Sequence, residues 1–182
     1  MEPIEEINKK FNKELLQQIE GSLPKEHTYQ LGMSSGILQS VQIPNLPIEL
    51  RASRLRDKAR QEKHPFDLKE IMDLPKAIQN PLAIFRSATH LEHYVIMTEL
   101  EHKGENFVIV LNDKILKVNS IRSIYPKNNI QINKWIDDGL LEYADKRKTV
   151  EWISKQRSNS ADVRKLLNRV TKILQNFENT NI

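Results

Sequence analysis

The order of periodic segments predicts an α+β domain: N-terminal helices, a central antiparallel sheet of about four strands in a meander, and C-terminal helices. Three observations carry this prediction. Residues 3–20 and the C-terminal stretch repeat apolar positions at helical spacing. Residues 82–125 break into four strand-like runs joined by short turns. Helical patterning resumes only after Pro126. Three units follow: a helix in 1–24, a body over 25–157 and a helix in 158–182.

In the first helix Ile4, Ile7, Phe11, Leu15 and Ile19 form the stripe, and Gly21 and Pro24 stop it. Residues 34–42 read as a short helix with Ser34 or Ser35 as N-cap. Pro44 and Pro47 break the chain, and Ile48 to Leu50 is a short extended piece. Residues 51–63 read as a basic helix whose apolar contacts are Leu55 and Ala59. A turn at His64-Pro65 leads to a short helix capped by Asp67, and Pro75 suits the first turn of another over 75–79.

Strands are expected at 82–87, 93–101, 106–112 and 117–125, with turns at 103–105 and 112–114. The apolar run Phe107 to Leu111 places the third strand centrally. On the fourth, strict alternation puts Val118, Ser120, Arg122 and Ile124 on one face. Asn119, Ile121, Ser123 and Tyr125 then take the other. Ile130, Ile132, Trp135 and Ile136 mark a helix ending at Gly139, Leu140 to Tyr143 a short strand, and 146–156 a further helix. Ser160 caps the last helix, with Val163, Leu166, Leu167, Val170, Ile173, Leu174 and Phe177 as its stripe. Trp135 and Trp152 fall on apolar helix faces and read as core.

Composition narrows the chemistry. The 182 residues include no cysteine, which excludes a disulfide framework, a zinc finger and a thiol nucleophile. Five glycines, without a phosphate-loop or dinucleotide fingerprint, disfavour nucleotide hydrolysis and Rossmann-type redox chemistry. No apolar run is long enough for a membrane span. His90, His93 and His102 lack the acidic ligands that would complete a shell, so neither metal nor cofactor is expected.

The net charge of +4 is unevenly spread. Five acids mark the first twenty residues, whereas 51–63 and 144–172 carry basic surpluses of four and six. Such clusters attract phosphate backbones through counterion release. Each reads equally as a solvated helix face.

Several polar residues remain. His64 sits in a turn stiffened by Pro65, where it either exchanges protons near neutral pH or simply anchors the turn. Arg86-Ser87, Thr98 and Arg122-Ser123-x-Tyr125-x-Lys127 lie on strands of the sheet. A polar cleft there would let arginine bind a phosphate by paired hydrogen bonds. A histidine or glutamate would deprotonate a ribose 2′-hydroxyl, with oriented cations stabilising the developing charge and no metal required. The competing reading is a core sheet with one wet face.

The succession Leu74-Pro75-Lys76-Ala77-Ile78-Gln79-Asn80-Pro81-Leu82-Ala83-Ile84-Phe85-Arg86-Ser87, then Val95-Ile96-Met97-Thr98-Glu99-Leu100, resembles the phage MuF C-terminal domain. So do Val118 to Lys127, Trp135 to Tyr143, Trp152-Ile153 and, upstream, Ile43 to Phe66. The resemblance covers roughly residues 30–157. It implies similarity to the barnase–EndoU–colicin–RelE-like nuclease group, with a small antiparallel sheet, helices on one side and metal-independent ribonuclease activity. The resemblance marks His64, Arg86, Ser87, Thr98, Asn119, Ser123 and Tyr125 as candidate site positions. The expected roles are His64 as general base or acid, Arg86 as phosphate binder, and Ser123 and Tyr125 as groups that position the phosphate or assist proton transfer, with Thr98 in support. Ser87, Asn119, Arg122, Lys127, Arg51 and Arg54 join as substrate-binding positions.

Such domains occur in phage, mobile elements and polymorphic toxins. The expected partners are RNA and, in toxin versions, a cognate immunity protein. The expected setting is the bacterial cytoplasm, reached as an effector or with a phage particle. Family members usually end longer proteins, whereas this chain opens at Met1 with its own helix. Two rival readings need no catalysis: a nucleic-acid-binding module, and a protein-interaction module docking through its terminal helices.

Overall fold

The computed structural model describes residues 2–112, 117–156 and 160–180, the last helix by backbone alone over 160–163 and 176–180. The chain order is α1 (Ile4–Glu20), β1 (Thr28–Met33), α2 (Gly36–Ser40), β2 (Pro47–Arg51), α3 (Ala52–Ala59), a 3-10 turn (Leu68–Ile71) and α4 (Leu74–Gln79). There follow β3 (Ala83–Arg86), β4 (His93–His102), β5 (Glu105–Asn112), β6 (Asn119–Lys127), α5 (Asn129–Asp137), β7 (Leu141–Ala144), α6 (Lys146–Ser154) and α7 (Ser160–Thr180). The side chains of Ser160, Val163 and Phe177, and the turn beyond Asn112, lie outside the described residues.

The sheet corrects the predicted architecture. It has seven strands in the order β1-β2-β6-β5-β4-β3-β7, not a four-strand antiparallel meander. The meander β3 to β6 is present as antiparallel neighbours. The β1–β2 pair is added at one side through a parallel pairing of β2 with β6. At the other side β7 joins β3 antiparallel. Apolar patterning locates a strand but not its neighbour, so these long-range additions are settled only by packing.

Helices cover both faces rather than one. On the first face Tyr29, Leu31, Ile48, Leu50, Ile84, Ile96, Ile109 and Ile124 pack with Phe11 and Leu15 of α1, Leu55 of α3 and Ile78 of α4. On the second, Ala83, Phe85, Val95, Met97 and Val108 pack with Ile132 and Ile136 of α5, Trp152 and Ile153 of α6, and Leu166 and Val170 of α7. The central strands are thus buried on both sides, which explains the continuous apolar run of β5.

The first helix is part of this body. Phe11 and Leu15 are buried. Asn8 and Asn12, one turn apart, both donate to Asp73 Oδ1, at 2.7 and 2.8 Å, and Asp73 N–H returns a bond to Asn12. Asp73 stands at φ +66°, a left-handed conformation that aspartate tolerates better than most residues. It links α1 to the start of α4.

Candidate functional site

Strand β6 decides where the polar residues go. Val110 pairs with Ser123, but Leu111 pairs with Ile121, so Arg122 is the extra residue of a β-bulge. The bulge resets the alternation. Asn119, Ile121, Ile124 and Pro126 are buried, whereas Ser120, Ser123, Tyr125 and Lys127 are half-buried on the opposite side. Strict alternation groups Ser120 with Ile124 and Asn119 with Ser123; the bulge separates both pairs.

Beside β6, β2 is paired at only two positions, Ile48 with Asn119 and Glu49 with Ser120. It then turns into α3, whose first N–H donates to the His27 carbonyl. That register would set Arg51 level with Arg122 where the strands part. Arg54, on the first turn of α3, reaches into the fork, and its Nη1 donates to the Ile121 carbonyl at 3.0 Å. The edge of β6 left by β2 is therefore capped by a guanidinium.

Arg51, Arg54 and Arg122 line a cleft of about 180 Å³ together with Thr28, Glu49, Val118 and Ser120. Glu49 accepts a hydrogen bond from Gln30 across β1 and β2, at 3.0 Å. Among the described residues no carboxylate forms an ion pair with any of the three arginines. Burial, followed by the charges of Arg122 and Arg51, pulls the Arg54 guanidinium below its ordinary pKa. A cavity walled by three cations, with little built-in neutralisation, suits an anion.

Further along β6 lies a second group. The His64 ring packs on the Tyr125 ring at 5.6 Å between centroids, tilted 32°. Lys127 Nζ lies 5.5 Å from the Tyr125 centroid and 5.2 Å from that of Trp135 on α5. Burial raises the pKa of the Tyr125 phenol, so it keeps its proton at neutral pH. Burial lowers that of Lys127, with the Glu105 charge opposing the shift. Pro65 and the buried Phe66, seated edge-on against Phe107, fix the turn that presents His64.

The remaining sequence-predicted positions lie elsewhere. Arg86 is three strands from β6, roughly 14 Å away at ordinary strand spacing. It also lies on the first face, opposite Ser123, since its cross-strand partner is Tyr94 of the first core. Its Nε donates to Glu142 at 3.0 Å, and its other nitrogens reach the Leu91 carbonyl and the Tyr94 hydroxyl. Ser87 Oγ accepts from the Thr89 and His90 amides and so closes the turn after β3.

Thr98 is fully buried, and its hydroxyl donates to the Phe107 carbonyl at 2.9 Å. Asn119 is equally buried and ties the segment before β2 to β6 through Ser34 Oγ, Pro44 O and Leu46 O. Seven predicted positions thus fall on or beside one strip of β6: Arg51, Arg54 and Arg122 in the cleft, His64, Tyr125 and Lys127 beyond it, and Ser123 between. The cleft residues Thr28 and Glu49 escaped sequence reasoning. The strand that carries Thr28 did have a signal, the alternation of Tyr29 and Leu31 with Thr28 and Gln30.

The fold and this strip define a mixed-sheet α+β domain with a basic cleft at a strand fork. Residues 55–151 match the model of the phage MuF-C-terminal domain, and the chain belongs to that family. No curated protein and no solved structure matches the chain. Among the described residues no helix is long and apolar enough to cross a membrane.

Proposed function

We propose that this domain binds RNA and cleaves it without a metal, by attack of a ribose 2′-oxygen on the adjacent phosphorus. The observation that carries the reading is the convergence of Arg51, Arg54 and Arg122 in one cleft on the strand that also presents Tyr125 under His64. His64 takes the 2′-hydroxyl proton as the O2′–P bond forms. Tyr125, protonated at neutral pH, supplies a proton to the departing 5′-oxygen as the P–O5′ bond breaks. The Lys127 ammonium, which lies over the Tyr125 ring, offsets the charge that builds on the phosphoryl oxygens. The arginine cleft holds a neighbouring phosphate of the same strand.

This assignment moves the phosphate-binding role from Arg86, which is engaged with Glu142, to the three arginines. It matches the resemblance to the barnase–EndoU–colicin–RelE-like group in residue types. A ribonuclease of this kind would act in the bacterial cytoplasm, and in a toxin setting a cognate immunity protein would restrain it.

The test is RNA incubated with purified protein in EDTA. Products ending in 2′,3′-cyclic phosphate are expected, with most activity lost in His64→Ala. RNA left intact at high protein concentration, or undiminished cleavage by His64→Ala, would exclude the reaction. Intact RNA together with salt-sensitive binding would establish the second reading, a nucleic-acid-binding module. That reading is favoured by the structural engagement of Arg86 and Thr98.

A further inference from the structure

Cations and rings alternate along β6. The arginine cleft stands at Arg122, the His64–Tyr125 stack follows three residues on, and Lys127 between Tyr125 and Trp135 comes two residues later. From Arg122 to Lys127 the strand advances about 17 Å, a length that takes several nucleotides rather than one. All three stations lie on one line, set by one strand. The second face of the sheet beyond them, over β5, β4, β3 and β7, is covered by α5, α6 and α7.

A single polynucleotide backbone can follow such a line, placing phosphates on the cations and bases against the rings. A duplex presents its bases already stacked and paired, so the rings gain nothing from it. We infer that the ligand of this domain is an unpaired polynucleotide strand several nucleotides long, laid along β6 from the arginine cleft to the Lys127–Trp135 pair. The inference rests on reading the arginine cleft as a phosphate site. It does not require that the strand be cut. Recognition on this strip is tolerant of sequence, because every base offers a π-face and the phosphates are identical.

The experiment uses the full chain and 2′-O-methyl oligouridylates, which cannot be cleaved because the attacking hydroxyl is blocked. Fluorescence anisotropy at low salt compares a dinucleotide, a decanucleotide and the decanucleotide annealed to its complement. The single-stranded decamer should bind at least about tenfold more tightly than either alternative. Arg122→Gln and Lys127→Gln, one at each end of the strip, should each weaken decamer binding about three- to tenfold and lower its salt dependence. Both changes are partly exposed, and circular dichroism checks that each variant is folded.

Duplex binding equal to that of the single strand would overturn the inference. So would a dinucleotide as tight as the decamer, or loss of affinity in only one of the two variants. The outcomes separate from those of the cleavage assay. Length-dependent single-strand binding with no cleavage removes the ribonuclease and keeps the track, whereas cleavage indifferent to strandedness does the reverse.

Discussion

Arg54 Nη1 donates to the main-chain carbonyl of Ile121 at 3.0 Å, so one side chain closes the fork between two parallel strands and sets the floor of a basic cleft. The same guanidinium serves the fold and the electrostatics. Arg54→Lys keeps the charge but loses the planar fork that reaches the carbonyl. Urea denaturation should show a loss of about 1 kcal/mol, because the bond is part-exposed and replaced partly by water. Nucleic-acid affinity should fall less than in Arg54→Ala.

Arg86 provides the contrast. Its ion pair with Glu142 is about a third exposed on each side, which limits its worth to about 0–1 kcal/mol. Arg86→Ala should leave single-strand binding within about twofold of the parent, while Arg122→Ala weakens it several-fold and reduces the salt slope by about 0.7. Equal losses in the two variants would return Arg86 to the binding surface.

Buried polar residues in the site list should behave as structural ones. Thr98→Val removes the donor to the Phe107 carbonyl at nearly constant shape, and Asn119→Ala removes the donor shared by Ser34, Pro44 and Leu46. Each should cost about 1–3 kcal/mol in chemical denaturation, since a buried acceptor loses its partner. Any effect on cleavage should track the fraction folded rather than KM.

Asp73 predicts a pH dependence. Hydrogen bonds from Asn12 and Asn8 hold its carboxyl below the ordinary carboxylate range, with Lys76 adding to the shift and burial opposing it. A carboxyl whose folded pKa is depressed stabilises the fold above its unfolded pKa, and that contribution is lost as pH falls through the folded pKa. Asp73→Asn keeps a residue tolerant of φ +66° and removes the charge. The variant should be less stable at neutral pH, and the difference should close once the medium is acid enough to protonate Asp73 in the parent. Denaturation midpoints across that range check it.

Gly32 lies in β1 at φ +91°, where an added Cβ would come within 3.0 Å of Ile7 Cδ1. Gly32→Ala should destabilise by about 1–2 kcal/mol, the cost of a left-handed residue with a side chain, and should loosen α1 from β1. A thermal melt of the variant shows this as a lowered midpoint.

Local pattern carried much of the fold. The stripe of α1, the four meander strands, the short piece that became β2 and the stretch that became β7 are all readable, because periodicity and turn residues are properties of neighbouring positions. Strand β1 carries a weaker local signal: Tyr29 and Leu31 alternate with polar residues, but Gly32 interrupts the run. The Asp67 cap is realised as a full capping box with Glu70, again a local device.

From composition and pattern alone came a cysteine-free α+β chain with two basic segments and a short list of His, Arg, Ser, Thr and Tyr as its reactive groups. Packing decided which of these meet. The bulge at Arg122 moved Ser123 and Tyr125 to the face of Ser120, the parallel pairing of β2 with β6 brought Arg51 and Arg54 to Arg122, and Arg86 was carried three strands away. Strand pairing joins residues some seventy positions apart, and a one-residue slip reverses every side chain. Neither choice is written in any local stretch of the chain, so the candidate site exists only once the sheet is assembled.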